Sequence, residues 1–167
     1  CDGEITVEAR IAVGPDAAVH PLKPAQRNVV FVLDRSGSMA GEPIAALRQA
    51  TVEAVNVLDA GDIVSVVWFG SEIETVVESQ RREQITDLAT RLAQNEPVGG
   101  AALYDALNQA AALLRRQATP ATINQLILVT DGPPTKGPRE VDDFAKLAEA
   151  FAREGMMLST IGLGPEF

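Results

Sequence analysis

From residue 28 onward, short unbroken apolar runs alternate with segments whose apolar residues recur every three or four positions. An unbroken run suits a strand buried on both faces; the three-to-four spacing suits an amphipathic helix with one apolar stripe. The runs predict strands over 28–33, 63–69, 73–78, 125–130 and 157–163. The spacing predicts a helix over 43–58 with Ile44, Leu47, Thr51, Ala54, Val55 and Leu58 turned inward, and a second over 81–93 burying Ile85, Leu88, Ala89 and Leu92. A third, over 102–117, buries Leu103, Ala106, Leu107, Ala110 and Leu114; a fourth, over 139–154, buries Val141, Phe144, Leu147, Ala148 and Phe151. Pro43 suits the first helix's opening turn, where a missing N–H costs nothing, and Gly155 suits the cap after the last.

Strands alternating with helices imply an α/β fold, a mostly parallel sheet with helices on both faces. Only Gly70, Ser71 and Glu72 separate two of the strands, too few for a crossover, so one strand runs antiparallel. Upstream, residues 4–13 alternate loosely, with Ile5, Val7, Ala9, Ile11 and Val13 on one parity, and predict an edge strand. Pro15, Pro21 and Pro24 then mark a connector that carries the only histidine, His20, read as a solvated loop residue. The division expected is therefore 1–27, edge strand and connector, followed by one domain over 28–167.

The 167 residues are enough for one full core, and 46% hydrophobic with 22% charged residues is the balance of a globular chain. A net charge of −9 repels a phosphate backbone, and no Lys/Arg cluster offsets it, Arg81-Arg82 and Arg115-Arg116 being isolated pairs on polar faces. Nucleic acid is excluded as the expected partner. No apolar run approaches the roughly 20 residues of a membrane-spanning helix. The single cysteine excludes an internal disulfide and a thiolate metal site. Cys1 has two readings, a residue within a longer chain or the lipidated first residue of a bacterial lipoprotein. The second would make the domain membrane-associated, and an extracytoplasmic or membrane-associated location is favoured over a cytoplasmic one.

Ligands of open parallel sheets bind outside the carboxyl ends of the strands. Two predicted strands end there in acids: Val29-Val30-Phe31-Val32-Leu33 runs into Asp34-Arg35-Ser36-Gly37-Ser38, and Leu128-Val129-Thr130 runs into Asp131-Gly132. If the two strands are neighbours, Asp34 and Asp131 converge with the hydroxyls of Ser36 and Ser38. Carboxylate and hydroxyl oxygens without Cys or His suit a hard divalent cation, Mg2+ in the first place. The plainer alternative is that Asp34 and Ser36 shape a turn and cap the next helix.

These segments, with Gly99-Gly100-Ala101-Ala102-Leu103-Tyr104-Asp105-Ala106-Leu107 at a helix start, resemble the three successive motifs of a von Willebrand factor type A domain over nearly all of 28–164. The resemblance implies a Rossmann-like sheet with one antiparallel edge strand and a metal-ion-dependent adhesion site above it. Ser36 and Ser38 would be direct ligands there, with Asp34 and Asp131 acting directly or through water. Mg2+ would be the cofactor, with Mn2+ or Ca2+ as alternatives. A protein partner would offer an Asp or Glu carboxylate to the remaining position, and the domain would be a binding module rather than an enzyme. Two departures stand out. The family's Gly-Gly-Thr reads Gly99-Gly100-Ala101 here, so a ligating hydroxyl is replaced by a methyl and the cation is held more weakly. The chain as given also stops at the predicted last strand, without the family's final helix.

Enzyme readings lack their reacting groups. A haloacid dehalogenase-like phosphatase needs a second acid where Ser36 stands, and neither serine sits in Gly-x-Ser-x-Gly. Gly132-Pro133-Pro134-Thr135-Lys136-Gly137 has the wrong spacing for a phosphate loop, and a receiver domain would need an acid pair and a lysine that are missing. The serious alternative is a metal-independent interaction domain whose site has degenerated at Ala101.

Overall fold

A computed structural model describes residues 25–163. Five strands, β1 (Gln26–Asp34), β2 (Ile63–Phe69), β3 (Ile73–Arg81), β4 (Thr122–Thr130) and β5 (Met156–Gly162), form one sheet in the order β3-β2-β1-β4-β5. Pairing is parallel except between β2 and β3, the two strands joined by the three-residue connection. The α/β class and the antiparallel edge strand are as the sequence predicts.

Four helices cover the sheet: α1 (Glu42–Asn56), α2 (Leu88–Ala93), α3 (Leu103–Gln117) and α4 (Val141–Arg153). In β1 seven consecutive residues, Asn28 to Asp34, are buried, because both faces are covered and both neighbours are paired. Its alternate side chains divide between two cores. Val30 and Val32 join Val67, Phe69, Leu126 and Leu128 beneath α3 and α4, whereas Val29, Phe31 and Leu33 join Val64, Val66 and Trp68 beneath α1 and α2. Thr51, an unusual inward residue for α1, is satisfied by donating its hydroxyl to the Leu47 carbonyl at 2.8 Å. Asn28 does similar work at the foot of the sheet, donating to the Leu114 carbonyl and to Asn124 Oδ1.

Periodicity misplaced some residues. The expected helix over 81–93 is present only from Leu88; β3 continues to Arg81 and a single 3-10 turn spans Arg82–Gln84. Tertiary bonds decide this. The Arg82 and Glu83 amides donate to the Asp62 and Ala60 carbonyls, and the Arg82 guanidinium caps the end of α1 at Val55 and Asn56. Ala89, expected inside, is exposed on the short helix, as are Val141 and Ala148 on α4. Val141 is 82% exposed at the first position of α4, a helix that turns only Leu147 and Phe151 fully inward. Gly155 ends α4 with φ of +72°, its amide donating to Ala152, the left-handed cap the sequence predicts. Arg115 and Arg116 do not form a basic patch, since each is paired with an acid, Glu154 and Glu78 respectively.

The expected edge strand over 4–13, His20 and Cys1 lie outside the described residues. Among the described residues, the β4–β5 end of the α1 face is only partly covered. An apolar hollow of about 240 Å³ there is lined by Phe31, Leu47, Ile127, Val129, Ile161 and Leu163 among others. No helix of the described residues is long and apolar enough to cross a membrane.

The division of α4 into buried and exposed positions is testable by denaturant unfolding. Phe151→Ala should cost about 3–5 kcal/mol, the range for emptying a buried aromatic position. Val141→Ala, which the sequence pattern alone would rank alongside it, should stay within about 0.5 kcal/mol of the parent.

Candidate functional site

The two acids lie at the carboxyl ends of β1 and β4, adjacent parallel strands whose following helices, α1 and α4, pack on opposite faces of the sheet. That divergence opens a cleft of about 270 Å³ between the loops, lined by Asp34, Ser36, Ser38, Asp131, Ala101, Thr135 and their glycine and proline neighbours. The structure thus brings together all four residues singled out in the sequence.

Asp34 is 1% exposed. Its Oδ1 accepts from the Ser36 amide at 2.7 Å and its Oδ2 from the Thr130 hydroxyl at 2.5 Å. Ser36 Oγ lies 3.1 Å from Ser38 Oγ, and Ser38 Oγ donates to Asp131 Oδ1 at 3.0 Å, so a file of oxygens crosses the cleft from the loop after β1 to the loop after β4. Burial raises the Asp34 pKa above its ordinary value; the hydrogen bonds from Thr130 and Ser36 oppose that rise, and the Asp131 charge adds to it. Among the described residues no Lys or Arg forms an ion pair with Asp34 or Asp131. Nor does any group of three or more His, Cys, Asp or Glu side chains gather for a metal among them, since this cluster holds two carboxylates and completes itself with hydroxyls.

The cleft floor is stitched by backbone hydrogen bonds. Arg35 N donates to Phe69 O, Val98 N to Arg35 O, Gly37 N to Gly99 O and Ala102 N to Gly70 O, tying the loops after β1 and β2 to the segment before α3. Gly99 adopts φ of +73°, and a Cβ there would stand 2.1 Å from Ser71 Oγ, which instead accepts from the Gly100 amide at 2.9 Å. The glycines before Ala101 are therefore required by close approach of another loop.

Ala101 is buried at 4% exposure, its methyl within the apolar core beneath α3. Two neighbours escaped the sequence analysis as site residues. Thr130 is one; its place directly before Asp131 at a strand end was the available signal. Thr135, in the loop after β4, is the other, and no local pattern marks it. Two residues of the loop after β1 are turned away from the cleft. Met39 is 0% exposed and belongs to the core, and the Arg35 guanidinium is turned inward, donating to Asn95 Oδ1 at 2.9 Å.

The von Willebrand factor type A domain model matches residues 28–166, and the chain belongs to that family. It is 28% identical over 155 residues to inter-alpha-trypsin inhibitor heavy chain H2 of Sus scrofa, an alignment covering 88% of this chain and 17% of that protein, so the chain spans about a sixth of that relative's length. Among solved structures, a von Willebrand factor type A protein from Catenulispora acidiphila superposes with a TM-score of 0.71 at 24% identity, over 83% of this chain and 34% of the other. Proximal thread matrix protein 1 of the mussel byssus gives 0.69 at 19% identity, over 84% and 38%. Both structural likenesses concern the fold. Domains of this family are typically protein-interaction modules and typically not enzymes.

The buried carboxylate has a stability consequence. With its folded-state pKa raised, Asp34 carries no penalty at pH values low enough to protonate it in both states. As pH rises, the unfolded chain ionises first and stability is lost, fully so above the folded-state value. Asp34→Asn removes that loss while keeping an acceptor for the Ser36 amide. In chelator, the variant should therefore melt higher than the parent near neutral pH, with the difference shrinking as the pH is lowered into the carboxylate range. Equal melting temperatures across the whole range would show that the burial penalty is fully offset.

Proposed function

We propose that this domain is a protein-interaction module that holds a divalent cation at the cleft and uses it to bind a partner's Asp or Glu carboxylate. Asp34, Ser36, Ser38 and Asp131 would hold the ion, Mg2+ by preference and Mn2+ or Ca2+ as alternatives. The observation that carries this reading is a fully buried carboxylate, Asp34, beside a second, Asp131, that is linked through the Ser38 hydroxyl to that of Ser36, with no basic partner to either acid among the described residues. A buried ionised carboxylate demands a compensating charge, and neutral donors supply only part of it. The donor set fits a hard cation by its chemistry: every candidate ligand atom is oxygen, and an ion that keeps several waters can occupy a site with few protein ligands.

Ala101 favours a second reading, a domain that binds its partner without metal. It lines the cleft with a methyl group, which offers no oxygen. The cation reading therefore includes a weakened site, one without the family's threonine hydroxyl at this position.

Calorimetric titration with Mg2+ and Mn2+, paired with melting curves, separates the two. The parent should bind one ion saturably, and Asp131→Ala should abolish the heat. Ala101→Thr should bind about tenfold more tightly, the ~1.4 kcal/mol that one recovered oxygen contact supplies. A parent and an Ala101→Thr variant that both show neither heat nor thermal shift would leave only the metal-independent domain.

A further inference from the structure

The cleft contains one oxygen-bearing side chain that the family pattern does not assign to the ion. Apart from Asp34, Ser36, Ser38 and Asp131, the lining residues are glycines, Ala101, Pro133 and Thr135. Thr135 reaches the cleft from the loop after β4 and is clamped to the residue that lacks a hydroxyl. Its Oγ1 accepts from the Ala101 amide at 2.8 Å, while the Thr135 and Lys136 amides both donate to the Ala101 carbonyl at 3.1 Å. The fit leaves no room for a side chain beside it, since a Cβ on Gly100 would stand 2.4 Å from Thr135 Oγ1.

We infer that Thr135 supplies the oxygen that Ala101 cannot, so that the loop after β4 contributes two residues to the cation, Asp131 and Thr135. A hydroxyl oxygen has two lone pairs. One receives the Ala101 N–H; the other remains available to an ion or to a water bound to it, Thr135 being an exposed residue that lines the cleft. Three hydrogen bonds to one residue fix the loop, so this oxygen would be placed in advance rather than recruited at an entropic cost. The inference rests on the cation reading above and names a ligand for it.

Mn2+ titration of five proteins tests it, with melting curves recorded in chelator as the measure of structural damage. Thr135→Val should weaken Mn2+ binding by about tenfold, and Thr135→Ser, which keeps the oxygen, should bind within about twofold of the parent. Val also removes the acceptor for the Ala101 amide, so its melting temperature in chelator should fall. The deciding comparison is Ala101→Thr with and without Thr135→Val. With a hydroxyl restored at position 101, losing Thr135 should change Mn2+ affinity by less than about twofold although the melting shift in chelator persists. A Thr135→Val protein that binds Mn2+ like the parent overturns the inference and leaves the cation reading standing. So does an affinity loss as large in the Ala101→Thr background as in the parent, which would make Thr135 a loop clamp only. A parent that takes up no Mn2+ overturns the inference, and an Ala101→Thr protein that takes up none either overturns the cation reading with it.

Discussion

The placement of a carboxylate at the end of a fully buried strand constrains everything above the sheet. Seven successive residues of β1 are shielded from water, and Asp34 is the last of them. A charge in that position is costly unless hydrogen bonds and an opposite charge meet it. The fold supplies the hydrogen bonds by turning the chain back sharply, so that the Ser36 amide reaches Oδ1, and by setting Thr130 of the neighbouring strand against Oδ2. It supplies no cationic side chain among the described residues. The turn that satisfies Asp34 is also the turn that presents Ser36 and Ser38 to Asp131, so local satisfaction of one acid builds the whole file of oxygens.

Holding that turn requires help from loops distant in sequence. The segment before α3 is bonded to it through Gly99 and Val98, and packs so closely on Ser71 of the β2–β3 loop and Thr135 of the loop after β4 that Gly99 and Gly100 leave no space for a Cβ. Four backbone hydrogen bonds join this segment and the β1 and β2 loops, and three more join Ala101 to Thr135 and Lys136. A site on loops is usually less precise than one on strands. Here the loops are fastened to one another, which gives them some of the rigidity of the sheet edge they extend.

The fold was legible because its strands are continuous apolar runs and its longer helices carry clear stripes. The run Val29 to Leu33 could only be a central strand, and Gly70-Ser71-Glu72 could only be a hairpin. What periodicity could not read were segments whose backbone is held by tertiary hydrogen bonds. Residues 82–87 have helical spacing, yet the Asp62 and Ala60 carbonyls capture the amides of Arg82 and Glu83 and delay the helix to Leu88. Of the site, Asp34, Ser36, Ser38 and Asp131 could be named because each sits at or near a strand end. Thr135 could not, because its part is defined by contact with Ala101, 34 positions away. Nor does any local pattern mark Met39 as core: it sits in a polar loop, and only the 3-10 turn at Gly37–Met39 tucks it inside.

Charge sets the terms on which such a cleft could bind a protein. The chain carries a net charge of −9, and the cleft itself presents two acids, so a partner's carboxylate approaching the bare site would be repelled. On the proposed reading a divalent cation reverses the local sign while leaving the rest of the surface acidic. Cation and partner would then each strengthen the other's binding by the same factor, because the coupling free energy between two ligands is reciprocal. A site weakened at Ala101 would depend on that coupling more than a complete one. An ion too loosely held to stay alone could still be retained once a carboxylate closes its coordination, which would make the partner, rather than the supply of metal, the event that fills the cleft.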